Sequence, residues 1–127
     1  MLGPIPQSLL GDMMTLKVCT GLDAWQKPDW QEYTVRRVHL QNTNEVKKTK
    51  ENTEVVLRST LFIDGRLSRP ALDYDTLAEQ SQKAGRTMRC VVYNAAGQKY
   101  GEYEVLTVDP VPDVPARRVH HIELGLV

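Results

Sequence analysis

The strongest regularity along the chain is alternation of apolar and polar side chains with a period of two, broken by clusters of Gly, Pro, Asn and Asp. That is the pattern of half-buried strands joined by turns. Its clearest stretch is Glu54 to Ile63, where Val55, Leu57, Leu61 and Ile63 fall on one face with Ser59 among them. Glu54, Arg58 and Thr60 fall on the other face beside Val56 and Phe62. Apolar residues on both faces predict a strand packed on one side and partly covered on the other. Asp64-Gly65 ends it with a strong turn signal.

Upstream, Met14, Leu16 and Val18 alternate with Thr15, Lys17 and Cys19, predicting a first strand from about Met13 to Thr20. Gly21 to Trp30 holds Gly, two Asp and Pro28 and reads as a loop. A second strand is expected over Glu32 to Leu40, with the Arg36-Arg37 pair marking a bulge or an edge. Downstream, Thr87 to Tyr93 and Lys99 to Val108 are β-branched and aromatic runs separated by Asn94 to Gln98, the pattern of an antiparallel hairpin. Pro110, Pro112 and Pro115 make Asp109 to Pro115 a stiff connection, and a last strand follows from about Arg117 to Leu124. The one helix candidate is Asp75 to Ala84, with Leu77 and Ala78 as its meagre apolar face and Gly85 as its stop.

Six strands with short turns must bury an inner face by curling, so the expected fold is mainly β: a small antiparallel β-barrel of about six strands with at most one short helix. The chain has 127 residues, the size of one domain, and we expect a single unit over residues 1–127. Leu, Ile, Val and Phe make up about a quarter of it, above the roughly 20% below which chains tend toward disorder. Gln41 to Thr53 stands apart: thirteen residues, polar throughout except for Val46, expected to form a long projecting loop. Structureless loops of that length are uncommon in compact domains and are usually functional or disordered.

Charge narrows the chemistry. Sixteen basic residues balance sixteen acidic ones, which argues against a binder held to nucleic acid or a membrane surface by net charge. No run of about 18 apolar residues is present, and Pro4 and Pro6 interrupt the N-terminal stretch where a signal peptide would lie, so a cytoplasmic origin without membrane association is expected. Cys19 and Cys90 lie outside any CxxC spacing and read as two small buried thiols. His120, His121 and Glu123 invite a metal reading, but neighbouring strand residues point to opposite faces, and His121 with Glu123 supplies only two ligands. Ser59, Ser68, Ser81, Cys19 and Cys90 have no nucleophile motif around them, Asp73 and Asp75 flank Tyr74 as solvated loop acids, and no phosphate-binding glycine pattern occurs. No enzyme, metal or cofactor is indicated. Lys47, Lys48 and Lys50 form the densest positive cluster, flanked by Glu45, Glu51 and Glu54. A single-stranded nucleic-acid-binding barrel is the rival from another class, although Tyr93, Tyr100 and Tyr103 suit hairpin packing better than base stacking.

Several segments in order resemble one family. These are Ile5-Pro6 with Leu9-Leu10, Asp23 and Trp25 leading into Tyr33-Thr34-Val35, and Leu61-Phe62-Ile63-Asp64, then Tyr103-Glu104-Val105 and the ending His120-His121-Ile122-Glu123-Leu124. Together they resemble the minor capsid proteins of tailed phages and prophages, which are similar to the head-closure, or stopper, proteins of the head-to-tail connector. Ser68 to Gly85 departs from the family pattern by its greater length. The resemblance implies a virion protein, made in the host bacterial cytoplasm, that docks as a ring beneath the portal and its adaptor. It would retain packaged DNA and receive a tail-completion protein. It also implies that Gln41 to Thr53 projects into the channel, with Lys47, Lys48 and Lys50 meeting double-stranded DNA transiently. The isolated chain is expected to be monomeric or weakly oligomeric, and a tail-side completion protein is the nearest variant of this reading.

Overall fold

The computed structural model describes residues 10–49, 51–113 and 118–127. The elements run β1 (Asp12–Leu22), β2 (Pro28–Asn42), β3 (Val46–Lys48), β4 (Glu54–Val56), β5 (Ser59–Asp64), α1 (Tyr74–Lys83), β6 (Arg89–Tyr93), β7 (Lys99–Asp113) and β8 (Arg118–Leu126). Six of the strands close into an antiparallel barrel in the order β1-β2-β5-β8-β7-β6, and β3 pairs with β4 in a separate two-stranded sheet. Closure leaves the barrel itself without a seam of unpaired edge.

Alternation decides what fills the barrel. Met14, Leu16 and Val18 of β1, Val35 and Val38 of β2 and Leu61 and Ile63 of β5 meet Cys90 and Val92 of β6, Tyr103 and Val105 of β7, and Leu124 and Leu126 of β8 in one buried cluster. The interior is thus a packed core rather than a passage. Cys19 and Cys90 are both free and buried. Burial pushes the Cys90 thiol up to about 12, with the neighbouring Arg89 cation opposing in part.

Strand lengths differ around the ring, and this places the helix. The short β6 pairs with β1 only over Met13 to Lys17, so both β1 and β7 run on past its start. Helix α1 packs against β1 and β7 beside that gap. The Cys19 N–H, past the end of β6, donates to Ser81 Oγ of the helix at 2.8 Å. Tyr74 and Ser81 are its buried residues, with Leu77 and Ala78 packed partly against the core. Asp73, expected as a solvated acid, caps the helix by accepting from the Thr76 N–H at 3.2 Å and the Thr76 hydroxyl at 2.9 Å.

Other expectations need correction. The loop expected over Gly21 to Trp30 is confined to a tight turn over Asp23 to Lys27: β1 runs to Leu22 and β2 begins at Pro28. Asp23 Oδ1 accepts from the N–H groups of Trp25 at 2.8 Å and Lys27 at 2.9 Å. The stiff connection expected from Asp109 onward is a continuation of β7 through Pro110 and Pro112. Past Val105 that strand has, among the described residues, β8 alone as strand partner, and proline is tolerated on such an edge. The strand expected from Glu54 to Ile63 breaks at Leu57-Arg58 into β4 and β5. Arg58 N–H pairs with the Leu126 carbonyl at 2.8 Å, and Leu57 leaves the barrel face it was assigned.

Candidate functional surface on the barrel wall

The polar stretch Gln41 to Thr53 is not a loop without structure. Gln41 and Asn42 finish β2, and β3 then pairs with β4 as Val46↔Val56, Lys47↔Val55 and Lys48↔Glu54. The hairpin folds back along the outer wall over β7 and β8, and three attachments hold it there. Leu57, 1% exposed, sits outside the barrel core against Gly125, whose missing Cβ leaves the space that the Leu57 methyls and the Thr107 hydroxyl occupy. Lys47 Nζ donates to Asp109 Oδ2 of β7 at 3.2 Å and lies 3.5 Å from Glu45. Gln82 of α1 donates to Glu51 at 2.7 Å near the hairpin turn. Between hairpin, helix and β7 lies an open cavity of about 250 Å³, with Ala78, Met88, Val105 and Val108 among its apolar lining and Lys48 and Arg86 among its charged lining.

The three lysines singled out from the sequence are therefore not one free positive patch. Lys47 is half-buried and neutralised: burial opposes its charge, but the hydrogen bond and charge of Asp109, helped by Glu45 and Glu123, outweigh that and hold the ammonium above its usual value. Lys48 is exposed beside the cavity, and Lys50 lies outside the described residues. So do Ile5, Pro6, Leu9 and Pro115, along with the N-terminal stretch where a signal peptide would be. The tyrosines do not line up as a stacking platform. Tyr103 is buried in the barrel with the Arg58 guanidinium 5.2 Å from its ring centre, while Tyr100 is exposed.

Beside the hairpin runs a cluster that period-two reasoning missed. His39, Phe62 and His121, from β2, β5 and β8, form a file of rings on the outer wall with centroids 6.1 and 6.0 Å apart. His120 was expected to face away from His121, yet their Nδ1 atoms are 2.8 Å apart. The cause is a register shift between β7 and β8, where Val111 pairs with His121 but Pro112 pairs with Val119, leaving His120 in a bulge that turns its ring. His121 Nε2 lies 3.1 Å from Glu123 Oε2, and Glu123 stands opposite Asp109, the partner of Lys47. A polar chain thus links the hairpin to the histidines. Among the described residues, no group of three or more His, Cys, Asp or Glu is arranged to hold a metal ion. Also among them, no helix is long and apolar enough to cross a membrane.

No known family matches the chain, and no curated protein or solved structure matches it.

Proposed function

We propose that this chain is a structural virion protein of a tailed phage or prophage, a head-closure component of the head-to-tail connector. The observation that carries the reading is the hairpin between β2 and β5, inserted in a small closed barrel where stopper proteins carry their channel segment. Its chemistry suits a part that changes position. Inside the hairpin the backbone groups are paired strand to strand, so it can swing as a unit without exposing them. What fastens its outer part to the wall is the exposed Glu51–Gln82 contact and the Lys47 ion pairs, which salt and competing phosphates weaken. Released from Asp109, Lys47 joins Lys48 and Lys50 as a cation available to DNA. Balanced net charge over the chain lets a ring of copies hold DNA back without binding it tightly enough to oppose ejection.

In this reading the protein acts through contacts with portal or adaptor subunits on one side and a tail-completion protein on the other. It assembles as a ring on its partners in the virion and catalyses nothing. The test is to replace residues 44–55 by a short turn, keeping Leu57, in the phage or prophage that encodes the chain. Heads should still incorporate the shortened protein but lose packaged DNA before tail joining. Normal DNA retention would place the gate elsewhere. Sub-micromolar binding of single-stranded DNA at about 0.15 M salt would favour the nucleic-acid-binding barrel instead.

A further inference from the structure

The β1–β2 ribbon outruns the barrel. β5 joins β2 only over Val38 to Asn42, so among the described residues the first part of β2 has β1 on one side and no strand on the other. Three hydrogen bonds show which backbone groups face that open side. Cys19 gives its N–H to Ser81, away from β2, so the Cys19↔Trp30 pair is of the kind that exchanges no ladder bonds. Trp30 therefore directs its own N–H and C=O away from β1. Two-residue periodicity extends this to Glu32 and Thr34, and Arg36 confirms it: its N–H donates to the Arg69 carbonyl at 2.9 Å and its carbonyl accepts from the Arg69 N–H at 3.4 Å. Pro28 has the same parity at the outer end, where no N–H is needed.

The result is a ladder begun at Arg36↔Arg69 and left open at Trp30, Glu32 and Thr34 among the described residues. Natural edges of this kind are commonly blunted by an outward lysine, an interior proline or a bulge. Here the bulge at Arg37 and the proline at Pro28 bound the open stretch and leave its middle clear. Both tryptophans of the chain are on this ribbon, and Trp25 at its tip is 82% exposed.

We infer that this edge is a strand-addition site for an extended, basic segment of another protein. Charge selects the occupant. Between Lys27 and Arg36 the strand carries no cation, with Glu32 on its outer face and Asp29 on the opposite one. The carboxylates of Glu32 and Glu102 share the single ammonium of Lys17, at 4.0 and 3.5 Å. An incoming strand with lysine or arginine at alternate positions sets its cations on the Glu32 face, where they pair with that carboxylate, while its backbone completes the ladder.

The experiment uses the whole chain and two fluorescein-labelled peptides, one alternating lysine and valine, the other alternating glutamate and valine. Anisotropy should show binding of the first and at least about tenfold weaker binding of the second. Amide exchange should show Trp30, Glu32 and Thr34 exchanging fast in the free protein and slowing when the first peptide is added. Thr34→Pro, which removes an outward N–H and no bond to β1, should keep the melting transition and weaken binding at least about tenfold. If that variant fails to fold, the outward assignment of Thr34 is wrong, and exchange at Trp30 and Glu32 in the unaltered chain still decides the site. Equal binding of both peptides, or binding of neither, overturns the inference. So does protection of the three amides without peptide: protection that rises with protein concentration assigns the edge to a second copy, and protection independent of it to the chain's own residues. None of these outcomes bears on DNA retention, so the connector reading stands or falls separately.

Discussion

Two glycines on the barrel wall act by what they lack. A Cβ on Gly65 would collide with the backbone carbonyl of Val119, and one on Gly125 would meet the Thr107 hydroxyl and the Leu57 methyls. Backbone cannot yield as a side chain can, so Gly65→Ala should cost about 1–3 kcal/mol in urea unfolding. Gly11→Ala, with nothing within 4 Å of the new methyl, should leave the midpoint unchanged within error. Ser81 is the other sensitive residue. It is 0% exposed and supplies the acceptor for Cys19 N–H, so Ser81→Ala strands a buried donor and should cost about 1–3 kcal/mol.

At the scale of the element, the hairpin and the barrel should respond differently to the same substitution. Lys47→Ala removes the ammonium between Asp109 and Glu45 but no core contact. Amide exchange in β3 and β4 should accelerate severalfold while the barrel's melting midpoint stays within experimental error. Raising salt should mimic the substitution in the unaltered protein and add little to the variant. A charge swap, Lys47→Asp with Asp109→Lys, should restore part of the protection. Unaltered exchange in Lys47→Ala would mean that Leu57 and the Gln82–Glu51 contact hold the hairpin without the ion pair.

For the whole molecule, the pH dependence of stability should be alkaline. Below about pH 8.5 the Cys90 thiol is neutral in folded and unfolded chains alike and its contribution is complete. Above that, the unfolded chain releases a proton that the folded chain keeps, so stability falls as pH rises toward the folded value of about 12. Tyr74, its phenol also raised by burial, and Lys47, with its ammonium held by Asp109, act in the same direction. Urea midpoints should therefore drop between about pH 8 and pH 10.5. Cys90→Ala, whatever its lower starting stability, should show a shallower slope between about pH 8.5 and pH 10, below the range where Tyr74 and Lys47 act, and an identical slope there would mean that the Cys90 thiol does not carry the loss.

Period-two alternation was enough to reveal a mainly β chain. Met14, Leu16, Val18, Leu61 and Ile63 occupy the interior the alternation assigned them, because a pleated strand with one dry face leaves no other choice of register. The Asp64-Gly65 turn was equally local: Asp64 Oδ1 accepts from the N–H groups of Arg66 and Leu67 at 2.7 and 2.8 Å. Composition failed over Gln41 to Thr53, since a two-stranded hairpin lying on a wall needs backbone pairing and a few anchors rather than an apolar face. One anchor, Leu57, broke the pattern of its own strand to reach a space at Gly125 that only the fold creates. Lys47 reads as a free cation until Asp109, distant in sequence, is brought beside it. The His120–His121 contact and the open edge at Trp30, Glu32 and Thr34 depend likewise on where neighbouring strands shift register or stop. Each strand's own side chains select its buried face, whereas register, strand ends and ion-pair partners belong to pairs of strands and exist only once the barrel has closed.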